Sequence, residues 1–210
     1  RKVKLIEKDR RGGILGMAAV LTVSANGVDT SPVTRGVFVS ENILGVIPPP
    51  PPDEVPPIEP DIRGATTLRE RLEKHRESKT CADCHRKIDP LGFGLETFDE
   101  LGRWRTHYPR SGKPLFVKKA PKLKVDSSGE MPSGEEFTGF SELRDILVST
   151  RSEVFTKHLI TTFLTYATGR HMEVVDDYCI SDIQSRLKAK GNGIGSLVEE
   201  SLLSEIFRSR

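Results

Sequence analysis

The last seventy residues carry the clearest hydrophobic pattern. Ser141-Glu-Leu-Arg144 starts one predicted helix. Phe155, Leu159, Phe163 and Tyr166 form an apolar stripe on a second, closed by Gly169. Ile180, Ile183 and Leu187 mark a third, closed by Gly191. Ser196-Leu-Val-Glu199 reads as a capping box before Leu202, Leu203, Ile206 and Phe207. Short connections between these helices predict a compact bundle over 141–210.

The first 140 residues are more broken. Gly12 to Val23 is short and apolar, and Asn26-Gly27 marks a turn. Thr30-Ser31-Pro32 starts a helix whose expected apolar face is Val33, Val37, Phe38, Ile43 and Leu44, with Gly45 as the stop. Eight of the 14 prolines lie between Pro48 and Pro60, which predicts an extended polyproline strap. Beyond it, Thr67-Leu-Arg-Glu70 is a second capping box, with Leu68, Leu72 and His75 on one face. Residues 108–137 read as loops with one hairpin around Val125 to Phe137. The expected organisation is therefore an N-terminal docking segment (1–47, the end of a preceding module), a strap (48–60), a central lobe (61–140) and a helical bundle (141–210).

Composition narrows the function classes. Hydrophobic residues make up 36% of 210, so the core is modest. Lys and Arg number 32 against 30 Asp and Glu, so no basic excess marks a nucleic-acid binder. Gly12 to Val23 is too short to span a bilayer. The chain opens Arg1-Lys-Val-Lys without Met or a signal-peptide pattern, and is expected to be the C-terminal part of a longer protein.

Two of the three cysteines stand in Cys81-Ala-Asp-Cys84-His85. In C-x-x-C-H chemistry both thiols add across haem vinyl groups, and the adjacent imidazole gives Nε2 to iron. Cys81 and Cys84 are then thioether anchors, with His85 the proximal ligand. Two other chemistries use C-x-x-C. A redox dithiol usually follows a hydrophobic strand, whereas a charged helix is expected before Cys81. A zinc site needs further close ligands, but only Cys179 and the scattered His75, His107, His158 and His171 remain.

The run Arg86-Lys-Ile-Asp-Pro-Leu-Gly-Phe-Gly-Leu-Glu-Thr-Phe-Asp-Glu-Leu-Gly-Arg-Trp-Arg105 resembles the C-terminal modules of the large planctomycete-type cytochrome c-like proteins of unassigned function. Those modules carry C-x-x-C-H before I-D-P-L-G-F-x-L-E-x-F-D-x-x-G-R-x-R. Arg11-Gly-Gly-Ile-Leu15, Thr30-Ser-Pro-Val-Thr-Arg-Gly36, Asp126-Ser-Ser-Gly-Glu-Met-Pro-Ser-Gly134 and Thr165-Tyr-Ala-Thr-Gly-Arg170 extend the resemblance over nearly the whole chain. It implies a mainly α, cytochrome c-like haem lobe with few short strands, one covalent haem c, and a periplasmic or cell-surface location. It supplies no reaction.

The rest of the haem shell is assigned by role. Met17 is the first choice of distal ligand and Met131 the second. The Pro90 carbonyl is expected to accept the His85 Nδ1–H. Phe93, Leu95 and Phe98 are expected against the porphyrin. Arg103, Trp104 and Arg105 are candidates for the propionates, with a solvated surface pair as the alternative for the two arginines. Asp89 and Asp99 read as turn or cap residues, and Cys179 as a small buried residue. No catalytic triad, P-loop or dinucleotide fingerprint is present. Three functions follow: an electron-transfer module, which is preferred over a catalyst in its own right; the haem part of a peroxidase- or oxidase-like enzyme; and a surface module stapled by haem. The partners expected are redox proteins or the remainder of the same protein.

Overall fold

A computed structural model describes residues 10, 12–25, 30–50, 69, 72, 79–108 and 123–209. The side chains of residues 79–81 are outside the description. So are the Asn26-Gly27 turn, most of the strap and the 67–70 capping box apart from Arg69, and also His75. The fold is mainly helical, as the pattern predicts, with one two-stranded sheet. Two compact units divide the chain. One comprises Arg1–Glu41 and Ile47–Ile146, the other Asn42–Val46 and Leu147–Arg210. The N-terminal segment therefore shares a unit with Cys81 to His85 as far as Glu41, whereas Asn42–Val46 belong to the second unit.

In the first unit, α1 (Ala18–Val23) is followed by α2 (Pro32–Asn42). The Thr34 N–H donates to Ser31 Oγ at 3.3 Å, which caps α2 just before the proline. The buried face of α2 is Pro32, Arg35, Gly36 and Val39, not the expected Val33–Val37–Phe38 stripe. Backbone proximity is the cause. A Cβ on Gly36 would overlap the Ile88 carbonyl and approach Gly92 N, and one on Gly92 would overlap the Pro32 carbonyl. Two glycines thus let α2 cross α3 (Lys79–Phe93) at backbone contact.

α3 carries the C-x-x-C-H sequence and continues through Asp89-Pro90 to Phe93, with the proline in its last turn. The hairpin follows: β1 (Gly129–Glu130) pairs antiparallel with β2 (Glu136–Phe137), and β1 packs on α3. α4 (Phe140–Thr150) begins by setting Phe140 edge-on to Phe98, with ring centroids 4.9 Å apart.

In the second unit, α5 (Ser152–Thr168), a 3-10 turn (Val174–Asp176), α6 (Asp177–Ala189), α7 (Ile194–Leu202) and α8 (Glu205–Arg208) close around Ile160, Leu164, Ile180, Ile183, Leu187, Leu197 and Ile206. α5 ends where expected, on Gly169 at φ +69. Its buried line, however, is Ile160–Leu164–Thr168, and Tyr166 is exposed. α5 is apolar on several sides, so its neighbours choose the face. α7 starts at Ile194 from Gly193, two residues before the expected Ser196 cap, and no side chain caps it. Leu202 and Leu203 are exposed.

Candidate functional site

α3 determines the site. α3 holds Cys81, Cys84 and His85 at spacings of three and four residues along one helix. The Cys84 thiol is free and half-buried. The buried His85 ring is held from behind: its Nδ1 lies 2.9 Å from Oδ1 of Asp89, one turn further along and also buried. The two side chains exchange a hydrogen bond along the helix itself. Engaging Nδ1 in this way fixes which ring nitrogen faces away from Asp89.

Beside His85 lies a cavity of about 370 Å³, within the range of small-molecule and cofactor sites. Pro90 and Phe93 supply its apolar wall, and Arg69, Arg86 and Glu130 its charged rim. The Arg69 guanidinium stacks on the Phe93 ring at 4.0 Å and donates to the Ser128 carbonyl at 2.6 Å. It also pairs with Asp126 at 2.9 Å. Burial pushes the Asp126 carboxyl up, but hydrogen bonds from Ser128 and the Arg69 charge hold it below the ordinary value.

Several expected residues stand elsewhere. The Pro90 carbonyl accepts the Gly94 N–H at 3.2 Å inside the chain turn that ends α3, and Asp89 takes the place expected for it at His85. Leu95 and Phe98 are buried, but they do not line the cavity. Phe98 instead packs on Trp104 and Phe140. Arg103 is 69% exposed and pairs with Asp99 at 2.6 Å. Asp99 also accepts the Leu101 and Arg103 N–H groups, the geometry of a turn residue.

Arg105 and Arg35 converge on Glu96, and this buried cluster was not anticipated. Arg35 and Glu96 have fully buried side chains 3.2 Å apart. Arg105 reaches Glu96 Oε2 at 2.8 Å, and Thr30 Oγ1 donates to the same oxygen at 2.8 Å. Arg35 also donates to the carbonyls of Leu95, Phe98 and Asp99. Burial pushes the Glu96 carboxyl up, while the two guanidinium groups pull it back. Arg105 is therefore committed to the fold rather than to a propionate. The available signal was Glu96 itself, an acid inside the apolar run Leu91 to Phe98, which demands a buried cation.

The two methionines differ. Met17 precedes α1, is 55% exposed and does not line the cavity. Met131 is 4% exposed and does not line the cavity either, but the preceding Gly129 and Glu130 do. Cys179 and Met172 pack against the core of the second unit. Among the described residues, no set of three or more His, Cys, Asp and Glu side chains surrounds a metal position. No described helix is long and apolar enough to cross a membrane.

Residues 11–108 match a family model described as a protein of unknown function (DUF1588). Residues 133–207 match a second, described as a protein of unknown function (DUF1585). No curated protein and no solved structure matches the chain. Residues 11–108 and 133–207 are thus similar to two kinds of domain that are both found in planctomycete-type cytochrome c-like proteins.

Proposed function

We propose that the chain is a c-type cytochrome module that carries one covalent haem and transfers electrons between extracytoplasmic redox proteins or within a larger protein. One observation carries the reading. C-x-x-C-H lies on a single helix, with the His85 imidazole oriented by Asp89 beside an apolar-walled cavity. Cys81 and Cys84 would hold the group by thioether bonds, each thiol adding its sulfur to a vinyl carbon and its proton to the neighbouring carbon with no net oxidation, and His85 would supply Nε2 to the iron. Once bound, haem supplies one-electron exchange at iron.

The remaining residues shape the surroundings. Pro90 and Phe93 exclude water from one side of the imidazole. Arg69 and Arg86 line the cavity where Arg103 and Arg105 do not, and each would exchange its present partner, Asp126 or Asp83, for a propionate. Met131 would be the better placed of the two thioethers to serve as a further ligand, because it is buried beside the cavity-lining Gly129 and Glu130. The oxidising, extracytoplasmic side is where this covalent attachment is made in bacteria, and it is the location the resemblance implies.

The test is a pyridine haemochrome spectrum after acid–acetone extraction. Retention of a c-type spectrum is expected, and its loss in Cys81→Ser/Cys84→Ser. A haem-free, zinc-replete preparation made in cells competent for c-type maturation would overturn the reading. Met131→Ala is expected to abolish the thioether-to-iron charge-transfer band of the oxidised protein, and Met17→Ala to leave it intact. The reverse result would restore Met17.

A further inference from the structure

We infer that Asp89 is a positioning residue that sets the donor strength of the His85 imidazole and, through it, the reduction potential of the module. This rests on the haem reading above. The pair is short, buried and local: Nδ1 to Oδ1 is 2.9 Å, and the residues stand four apart on α3. Its acceptor is a carboxylate, not a backbone carbonyl. The backbone candidate, Pro90 C=O, receives the Gly94 N–H instead.

That difference has a chemical consequence. A carboxylate accepts a stronger hydrogen bond than a neutral carbonyl. It draws the Nδ1 proton toward itself and raises electron density at Nε2. A more basic axial nitrogen stabilises ferric over ferrous iron, so the potential falls. Hydrogen bonding behind the ligand is one of the levers by which a protein sets this quantity.

The carboxylate also has little freedom to move. Its neighbours Ile88 and Gly92 are held at the backbone crossing with α2. Asp89 itself is 1% exposed, and Pro90 and Phe93, which follow it, form the wall of the cavity. The bond is therefore built into the helix before any ligand arrives, and it fixes both the tautomer and the plane of the ring.

The test is the midpoint potential of the haem-loaded full chain, measured spectroelectrochemically at one pH, for wild type, Asp89→Asn and Asp89→Glu. Asn keeps the shape of Asp but removes the charge. The expected result is unchanged covalent haem content, an upward shift in potential for Asn, and a return toward wild type for Glu. A fully loaded Asn variant with the wild-type potential overturns the role of Asp89 and leaves the haem reading standing. A wild-type chain without covalent haem overturns both. If Asp89→Asn fails to mature, the reduced wild-type protein with labelled histidine decides. A downfield, slowly exchanging Nδ1–H of His85 supports the inference, and exchange at the rate of an exposed imidazole overturns it.

Discussion

Replacing Glu96 by Gln is the sharpest test of how the first unit is held together. Gln matches Glu in shape and can still accept from Thr30, so the change is one of charge. In the wild type, one carboxylate serves two guanidinium groups, Arg35 with a side chain fully buried and Arg105 with one 10% exposed. The variant leaves two cations facing each other without a counter-ion, and water has little access to either. Removing one partner from a buried pair costs about 3–5 kcal/mol. That corresponds to about two to three and a half powers of ten in the folded-to-unfolded ratio. With a urea dependence of about 2 kcal/mol per molar, the midpoint should fall by about 1.5–2.5 M. Trp104 is the natural probe, because it is the only tryptophan in the chain and its ring sits 5.3 Å from that of Phe98, whose carbonyl Arg35 binds. Its fluorescence follows the first unit alone. A midpoint lowered by less than about 0.3 M would refute the reasoning, because it would mean that solvent already screens the cluster.

Two further outcomes concern packing and pH. Gly36→Ala should lower the stability of the first unit by about 1–3 kcal/mol, read from the same Trp104-detected transition, because the new methyl group meets the Ile88 backbone rather than a mobile side chain; a change of only a few tenths of a kcal/mol would mean that the crossing can open freely. In the second unit, Asp176 is held at about 2 by the bidentate Arg170 guanidinium and the Glu173 N–H. Its folded-state value lies below the ordinary 3.8, so its contribution is complete above about pH 4 and is lost as pH falls toward 2. Acid titration of the helical signal should show that loss, and Asp176→Asn should flatten it. An identical acid limb in the variant would count against the pairing.

Where the sequence was legible, the signal was local. Gly169 closes α5 through a left-handed conformation, and Ile180, Ile183 and Leu187 all enter the core at the helical period that announced them. The hairpin expected around Val125 to Phe137 forms at Gly129–Phe137. The differences share a cause: apolarity alone does not choose the buried face of a helix. α2 buries Arg35 and Gly36 because a glycine permits backbone contact and Glu96 supplies a counter-charge. Neither fact is visible within α2. Asp89 reads as a turn or cap residue in the sequence. α3 runs through it nevertheless, and that continuity turns Asp89 toward His85. In the same way, Arg103 and Arg105 look equivalent on either side of Trp104, yet one is exposed and the other is buried against Glu96.

The glycine crossing of α2 and α3 has a consequence for the direction in which the imidazole points. One residue of slip turns a helix by about 100°. A slipped α3 would bring Leu91 or Phe93 to the place of Gly92, against the Pro32 carbonyl where even a methyl group does not fit. The azimuth of His85 is thus set seven residues away, where the backbones of α2 and α3 meet.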